Sequence, residues 1–213
     1  LVVLPPSIGQ LGAELLTLII RSNELTELPA GLFECSKLRV LDVGGNRLQQ
    51  LGEEFHRLPE LRELHANDNQ LTALPASLEH CPGLTTLNVN TNQLAALPGF
   101  ILGSRQSRLK VVNASSNCIS TLGGSGSGSG GEVVVSLPLL ESLDLQRNQL
   151  GGSVVVLWNC PLLTYVNLSE TRLAVCPVVA DCARLSRLHL SNNRLTSFDF
   201  PRTQRQYCPH PGL

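Results

Sequence analysis

Eight residues recur at the same point of a repeating pattern, and nearly all can form hydrogen bonds: Ile19, Asp42, His65, Asn88, Asn113, Asp144, Asn167 and His189. Two residues before each of them run Thr17, Val40, Glu63, Thr86, Val111, Ser142, Tyr165 and Arg187. Two residues after run Arg21, Gly44, Asn67, Asn90, Ser115, Gln146, Ser169 and Ser191. Asp, Asn and His in such numbers suit polar recognition, and His65 beside Asp42 suggests an acid/base pair. His65 and His189 are the imidazoles that a metal would need. They lie five repeats apart, though, on strands about 4.8 Å from one another, which is too far to share one ion. No serine or cysteine falls in a strained turn beside either histidine, so no nucleophile is expected. Cys208-Pro-His210 is too short a cluster to bind zinc unaided. Catalysis, cofactors and metals are therefore not expected.

The elements that position these residues follow from the spacing. The pattern L-x-x-L-x-[LIVA]-x-x-[NT]-x-[LI] begins at Leu15, Leu38, Leu61, Leu84, Leu109, Leu140, Leu163 and Leu185, at intervals of 23, 23, 23, 25, 31, 23 and 22 residues. Within it, L-x-x-L-x-L alternates as a strand with one face buried does. A single short strand cannot hide that face, so successive strands stack in parallel over a continuous core. Asn23, Asn46, Asn69, Asn92, Asn117, Asn148 and Asn193 follow the strands, where their amides can satisfy backbone groups left unpaired by the turn. Thr171 interrupts this ladder, and its hydroxyl replaces only part of an amide, predicting a local weak point. Short returns such as 30–36 and 76–80 predict single helical or 3₁₀ turns on the outer side. There Phe33, Phe55, Leu78 and Ile101 are expected to plug the core.

The formal net charge of −1 argues against a general nucleic-acid or membrane-surface binder. Residues 1–80 hold six Lys/Arg against eleven Asp/Glu, and residues 81–213 hold ten against six, an asymmetry that can orient a partner. No run of eighteen apolar residues and no signal-peptide pattern is present. The absence of an initiator methionine predicts a piece of a longer protein, with further domains of the same chain as one kind of partner. Cys35, Cys81, Cys160 and Cys182 each precede a motif leucine by three residues, and Cys176 stands where other repeats have leucine. These five of the seven cysteines are expected to be buried and reduced, which predicts a reducing, cytoplasmic setting. Gly123–Gly131 alternates glycine and serine and predicts a flexible tether, natural or engineered, not a phosphate loop. The expected organisation is an array over 1–200 and an irregular tail over 201–213.

The eight motif copies resemble the leucine-rich repeat superfamily. The resemblance implies an α/β solenoid, a horseshoe with parallel strands on the concave face and short helical or 3₁₀ turns on the convex face. Leu-Pro closings and the lack of cysteine-rich flanks are similar to the intracellular class. Val111–Ile119 and its neighbours are also similar to the repeats of pleckstrin-homology/leucine-rich-repeat protein phosphatases and of Ras-associated repeat proteins. A non-catalytic module that binds another protein is the expected function. The alternatives are the regulatory region of a signalling enzyme, such as a metal-dependent phosphatase, and a structural brace in a large assembly. Eight strands span roughly 35 Å, enough for an interface of about 800 Å² per partner. The expected contact residues are Arg21, Asp42, Glu63, His65, Asn88, Asn113, Asp144, Tyr165, Asn167, Arg187 and His189. Tyr165 and Arg187 are the expected anchors. The opposing reading leaves these as ordinary solvated strand residues and moves the partner to the rim or outer face.

Overall fold

The computed structural model describes residues 1–103, 107–123 and 132–197. The expected Gly/Ser tether beyond Gly123 and the tail over 201–213 lie outside the described residues, as does Cys208-Pro-His210. Eight three-residue strands form one parallel sheet in chain order: Thr17–Ile19, Val40–Asp42, Glu63–His65, Thr86–Asn88, Val111–Asn113, Ser142–Asp144, Tyr165–Asn167 and Arg187–His189. Their register matches the spacing of the motif. Thr17 pairs with Val40, then Glu63, Thr86, Val111, Ser142, Tyr165 and Arg187, and Ile19 begins the parallel row that ends at His189. A slip of one residue would turn Leu41, Leu64, Leu87, Val112, Leu143 and Val166 out of the core, so burial enforces this pairing.

The same backbone turn follows every strand. Ser22, Gly45, Asp68, Thr91, Ser116, Arg147, Glu170 and Asn192, each three residues past its strand, are left-handed with φ between 52° and 64°. Only Gly45 among them adopts this region without steric cost. The next residue is the ladder side chain, and its hydrogen bonds hold the turn in place. Asn69 Nδ2 donates to Val43 O (3.1 Å), Ala66 O (3.2 Å) and Asn67 O (3.1 Å), while Leu48 N donates to Asn69 Oδ1 at 3.0 Å. Asn92 repeats the arrangement one turn on. Asn46, Asn69, Asn92, Asn117 and Asn148 are all buried, as a ladder running through a core requires.

Thr171 is fully buried, and its short side chain is engaged. Its Oγ1 lies 2.6 Å from Leu168 O and 3.0 Å from Asn193 Oδ1. Asn193 Oδ1 also accepts the Thr171 and Leu173 N–H groups at 3.2 and 2.9 Å. The Thr171 hydroxyl thus replaces one of the bonds a ladder amide makes, the one to the carbonyl three residues back.

The outer layer changes character along the chain. Up to residue 103 it is made of 3₁₀ turns at Pro6–Glu14, Ala30–Glu34, Phe55–Arg57 and Ala76–His80, then a short α-helix at Gly99–Gly103. Phe33, Phe55, Leu78 and Ile101 plug the core from this side, and the Phe33 and Phe55 rings meet edge to face at 5.3 Å. From residue 132 onward, a three-stranded parallel sheet replaces the turns, with strands Glu132–Val135, Val154–Trp158 and Val178–Ala180. This departs from the expected helical or 3₁₀ returns, and the cause is compositional. Val154-Val155-Val156 and Val178-Val179 are runs of β-branched residues, which favour extended backbone over a tight helical turn. At both ends the core is less covered, with Leu15, Leu18, Leu185, Leu188 and Leu190 only partly buried.

Candidate functional site

The outward residues of the eight strands form the columns expected from the motif, but most of the middle column has a local structural task. Asp42, Asn88, Asn113, Asp144 and Asn167 each use Oδ1 to accept the N–H of the residue two positions on. The distances are 3.0 Å to Gly44, 3.4 Å to Asn90, 3.1 Å to Ser115, 3.0 Å to Gln146 and 3.1 Å to Ser169. This is an Asx turn repeated down the sheet, closing the chain as it leaves each strand. It explains why Asp and Asn dominate a column where solvation alone would tolerate many residue types. One acceptor of each side chain is thereby occupied.

The individual placements refine the sequence reading. Asp42 meets Arg21, with Nη1 to Oδ2 at 3.7 Å, and does not pair with His65. His65 Nε2 lies 3.3 Å from Glu63 Oε2 instead, because those two side chains project from the same strand face two residues apart. The juxtaposition of His65 with Asp42 suggested by the sequence thus gives way to a His65–Glu63 pair. Asn88 Nδ2 donates to Asn67 Oδ1 (3.3 Å), and Asn113 Oδ1 also receives the Ser115 hydroxyl at 2.8 Å. Asn167 is only 5% exposed, clasped by Gln146, whose Oε1 accepts its Nδ2 at 3.1 Å. It offers little surface to a partner, being covered by its neighbours.

Those neighbours include residues that the sequence reading did not single out. Gln146 Nε2 donates to Glu170 Oε1 at 3.0 Å, and Arg147 Nε approaches both Glu170 oxygens at 3.2 and 3.3 Å. The hydrogen bonds from Gln146 and then Arg147 hold the Glu170 carboxyl below its usual range. Glu170 lies in the turn, outside the strand columns, so strand periodicity could not reveal it.

Tyr165, Arg187 and His189 form a different kind of group. The Tyr165 and His189 rings meet edge to face with centroids 5.3 Å apart, and the Arg187 guanidinium lies 5.1 Å from the Tyr165 ring centroid. Arg187 and His189 are exposed and Tyr165 half-buried. Among the described residues no carboxylate lies within ion-pair distance of Arg187. The described residues hold no group of three or more metal-ligating side chains. The recess formed by Pro59, Glu60, Arg62, Gly83, Thr85 and Arg108 lies at the N-terminal margin of the sheet and contains none of the column residues. The arrangement therefore provides hydrogen bonds, one aromatic ring and a cation with no carboxylate partner among the described residues.

Parallel strands in one continuous register, each followed by a left-handed turn and all but the seventh by a ladder asparagine, define a solenoid of the repeat class. Comparison with known families agrees. A leucine rich repeat family matches residues 13–71, a two-copy leucine rich repeats family matches 59–101, and a single leucine rich repeat matches 184–204. The chain belongs to the leucine-rich repeat superfamily. Among solved structures it is similar to a leucine-rich repeat protein of Leptospira interrogans, at 24% identity and a TM-score of 0.53, covering 92% of this chain and 59% of that one. It is similar to the leucine-rich repeat domain of APL1B at 24% identity and a TM-score of 0.65, with 92% and 60% covered. YopM from Yersinia enterocolitica is 29% identical with a TM-score of 0.56, and 93% of this chain and 41% of that one are covered. The chain thus spans less than two thirds of the length of each of these structures. Comparison with curated proteins gives no match.

Proposed function

We propose that this array is a protein-interaction module that docks another protein on its concave face, anchored by Tyr165 and Arg187. Leucine-rich repeat domains are typically interaction modules without catalytic activity, and the finer assignment rests on one observation. Most polar side chains of the concave columns are already engaged with the backbone or with each other, whereas the Tyr165–Arg187–His189 group reaches solvent and its guanidinium meets no carboxylate among the described residues. A half-buried Tyr beside an exposed Arg is what interface hot spots are made of, since each contributes a large contact area and Arg a directional charge. Arg21, Asp42, Glu63, His65, Asn88, Asn113, Asp144 and His189 then form the polar surround that fixes orientation, and a carboxylate on the partner would complement Arg187.

Several further features support the wider reading. Among the described residues no helix is long and apolar enough to cross a membrane. Cys35, Cys81 and Cys160 are free and buried, and Cys176 is buried as well, which suits the reducing, cytoplasmic setting. Cys182 is only half-buried, in contrast to the expectation of a core position, because it lies near the less covered end of the stack. The test is capture of a partner from native extract by the full-length protein. Arg187→Glu with Tyr165→Ala abolishes that capture while the thermal unfolding curve stays unchanged. Undiminished capture by the double variant rejects the concave-face assignment.

A further inference from the structure

The slot three residues before each motif leucine holds Gly12, Cys35, Leu58, Cys81, Leu137, Cys160 and Cys182 on its described turns. Cysteines fall on consecutive turns only at Cys160 and Cys182, and there the two turns are near copies. Trp158 and Ala180 are register partners in the outer parallel sheet, and each cysteine lies two residues beyond. The residue before each cysteine is left-handed, Asn159 at φ 51° and Asp181 at φ 55°. Cys160 Sγ lies 3.3 Å from Trp158 O and 3.6 Å from Val135 O of the preceding turn. Cys182 Sγ lies 3.4 Å from Ala180 O and 3.8 Å from Leu157 O, again one turn back.

One step along the stack therefore carries one thiol onto the other. That step is about 4.8 Å, inside the ~4.4–6.8 Å Cα separation of disulfides. The Cβ atoms need to close by about 1 Å to reach disulfide spacing. Cys182 is on the half-covered side, ahead of the partly exposed Leu185, Leu188 and Leu190, where a turn can move without opening a sealed core. The two thiols also act on one another. The hydrogen bond from Cys182 draws the Cys160 thiol below its ordinary value, and the same bond pushes Cys182 well above its own.

We propose that Cys160 and Cys182 are a thiol modification site that forms a reversible intramolecular disulfide when it meets a small disulfide oxidant such as oxidised glutathione. The accessible Cys182 thiol gives up its proton to solvent as its sulfur attacks one sulfur of the oxidant. The oxidant's S–S bond breaks, and one small thiolate leaves and takes up a proton. Cys160 then gives its proton to solvent and attacks Cys182 in the mixed disulfide, expelling the second small thiolate. Two protein thiols and one small disulfide become one protein disulfide and two small thiols, with two electrons passing to the oxidant. The bond staples the two turns that lead into Tyr165 and Arg187, five residues downstream of each cysteine.

The exposed Cys118 serves as an internal control. The native 213-residue chain is titrated with oxidised glutathione to the concentration that converts Cys118 to its mixed disulfide. Free thiols are then alkylated, and intact mass and cross-linked peptides are read. The pair is expected to lose two hydrogens, to yield one Cys160–Cys182 peptide, and to regain both alkylation sites after reduction. In the Cys182→Ser chain that peptide is absent and Cys160 is alkylated once the protein is unfolded. Cys160 and Cys182 still free, each carrying glutathione, or Cys160 joined to Cys176 would overturn the proposal.

Discussion

Replacing Asn69 with alanine tests whether the asparagine ladder works as its geometry implies. A simple count gives four lost contacts, one accepted from Leu48 N and three donated to Val43 O, Ala66 O and Asn67 O. The three carbonyls are not left bare, however. Val43 O keeps the Asn46 amide at 2.9 Å, Ala66 O keeps the Asn92 amide at 2.9 Å, and Asn67 O keeps the Gly45 N–H at 2.8 Å. Only the Leu48 N–H, at a buried position, loses its acceptor outright. The expected cost is therefore that of one orphaned buried donor, about 1–3 kcal/mol, and not a fourfold multiple. Urea unfolding followed by circular dichroism gives the total. Amide hydrogen exchange gives the location, with Leu48 N–H losing protection while Leu71 N–H, held by Asn92, keeps it. A loss above roughly 5 kcal/mol, or equal deprotection at both amides, would refute the argument that the carbonyls are doubly served.

Thr171→Val removes the hydroxyl at nearly constant volume. Leu168 O retains the Asn193 amide at 2.7 Å, so the expected loss is only about 0.5–1.5 kcal/mol by urea unfolding. Burial pushes the Cys81 thiol up to about 11 from its ordinary 9.0, so folding favours the protonated form. The stability this provides is complete below pH 9.0 and is lost as pH rises toward about 11. Comparison of unfolding midpoints across that window should show a steeper alkaline fall for the native chain than for Cys81→Ala; parallel curves would contradict it. For the concave face, Arg187→Glu with Tyr165→Ala is expected to remove partner capture at an unchanged unfolding temperature.

The inner sheet was almost wholly legible in the sequence, because its information is periodic. Leu41, Leu64 and Leu87 are buried on one side of their strands, and the neighbouring residues can only alternate outward. The ladder asparagines were legible for the same reason, but the left-handed residue before each one was not. Ser22, Asp68, Thr91 and Arg147 share no side-chain chemistry, since the shape there is imposed by the next residue's hydrogen bonds. The change of the outer layer from 3₁₀ turns to a parallel sheet was carried by valine runs alone, a signal that the irregular spacing after Leu109 obscured. At the candidate site the columns were readable and the pairings were not. Position in a column does not show that Asp42 is engaged by Gly44 N and Arg21, or that His65 lies against Glu63. Nor could it show that Gln146 and Glu170 close over Asn167, because those contacts cross between a strand and a turn.

The most direct test of the account is site-specific photocross-linking in the native full-length protein. A benzophenone side chain is placed at Tyr165 on the concave face, or at the exposed Glu79 on the outer turn Ala76–His80. Concave docking predicts that the Tyr165 probe joins covalently to the captured partner, that Arg187→Glu suppresses the adduct, and that the Glu79 probe yields none. A partner that cross-links from Glu79 and not from Tyr165 would contradict the account and place the interface on the outer face.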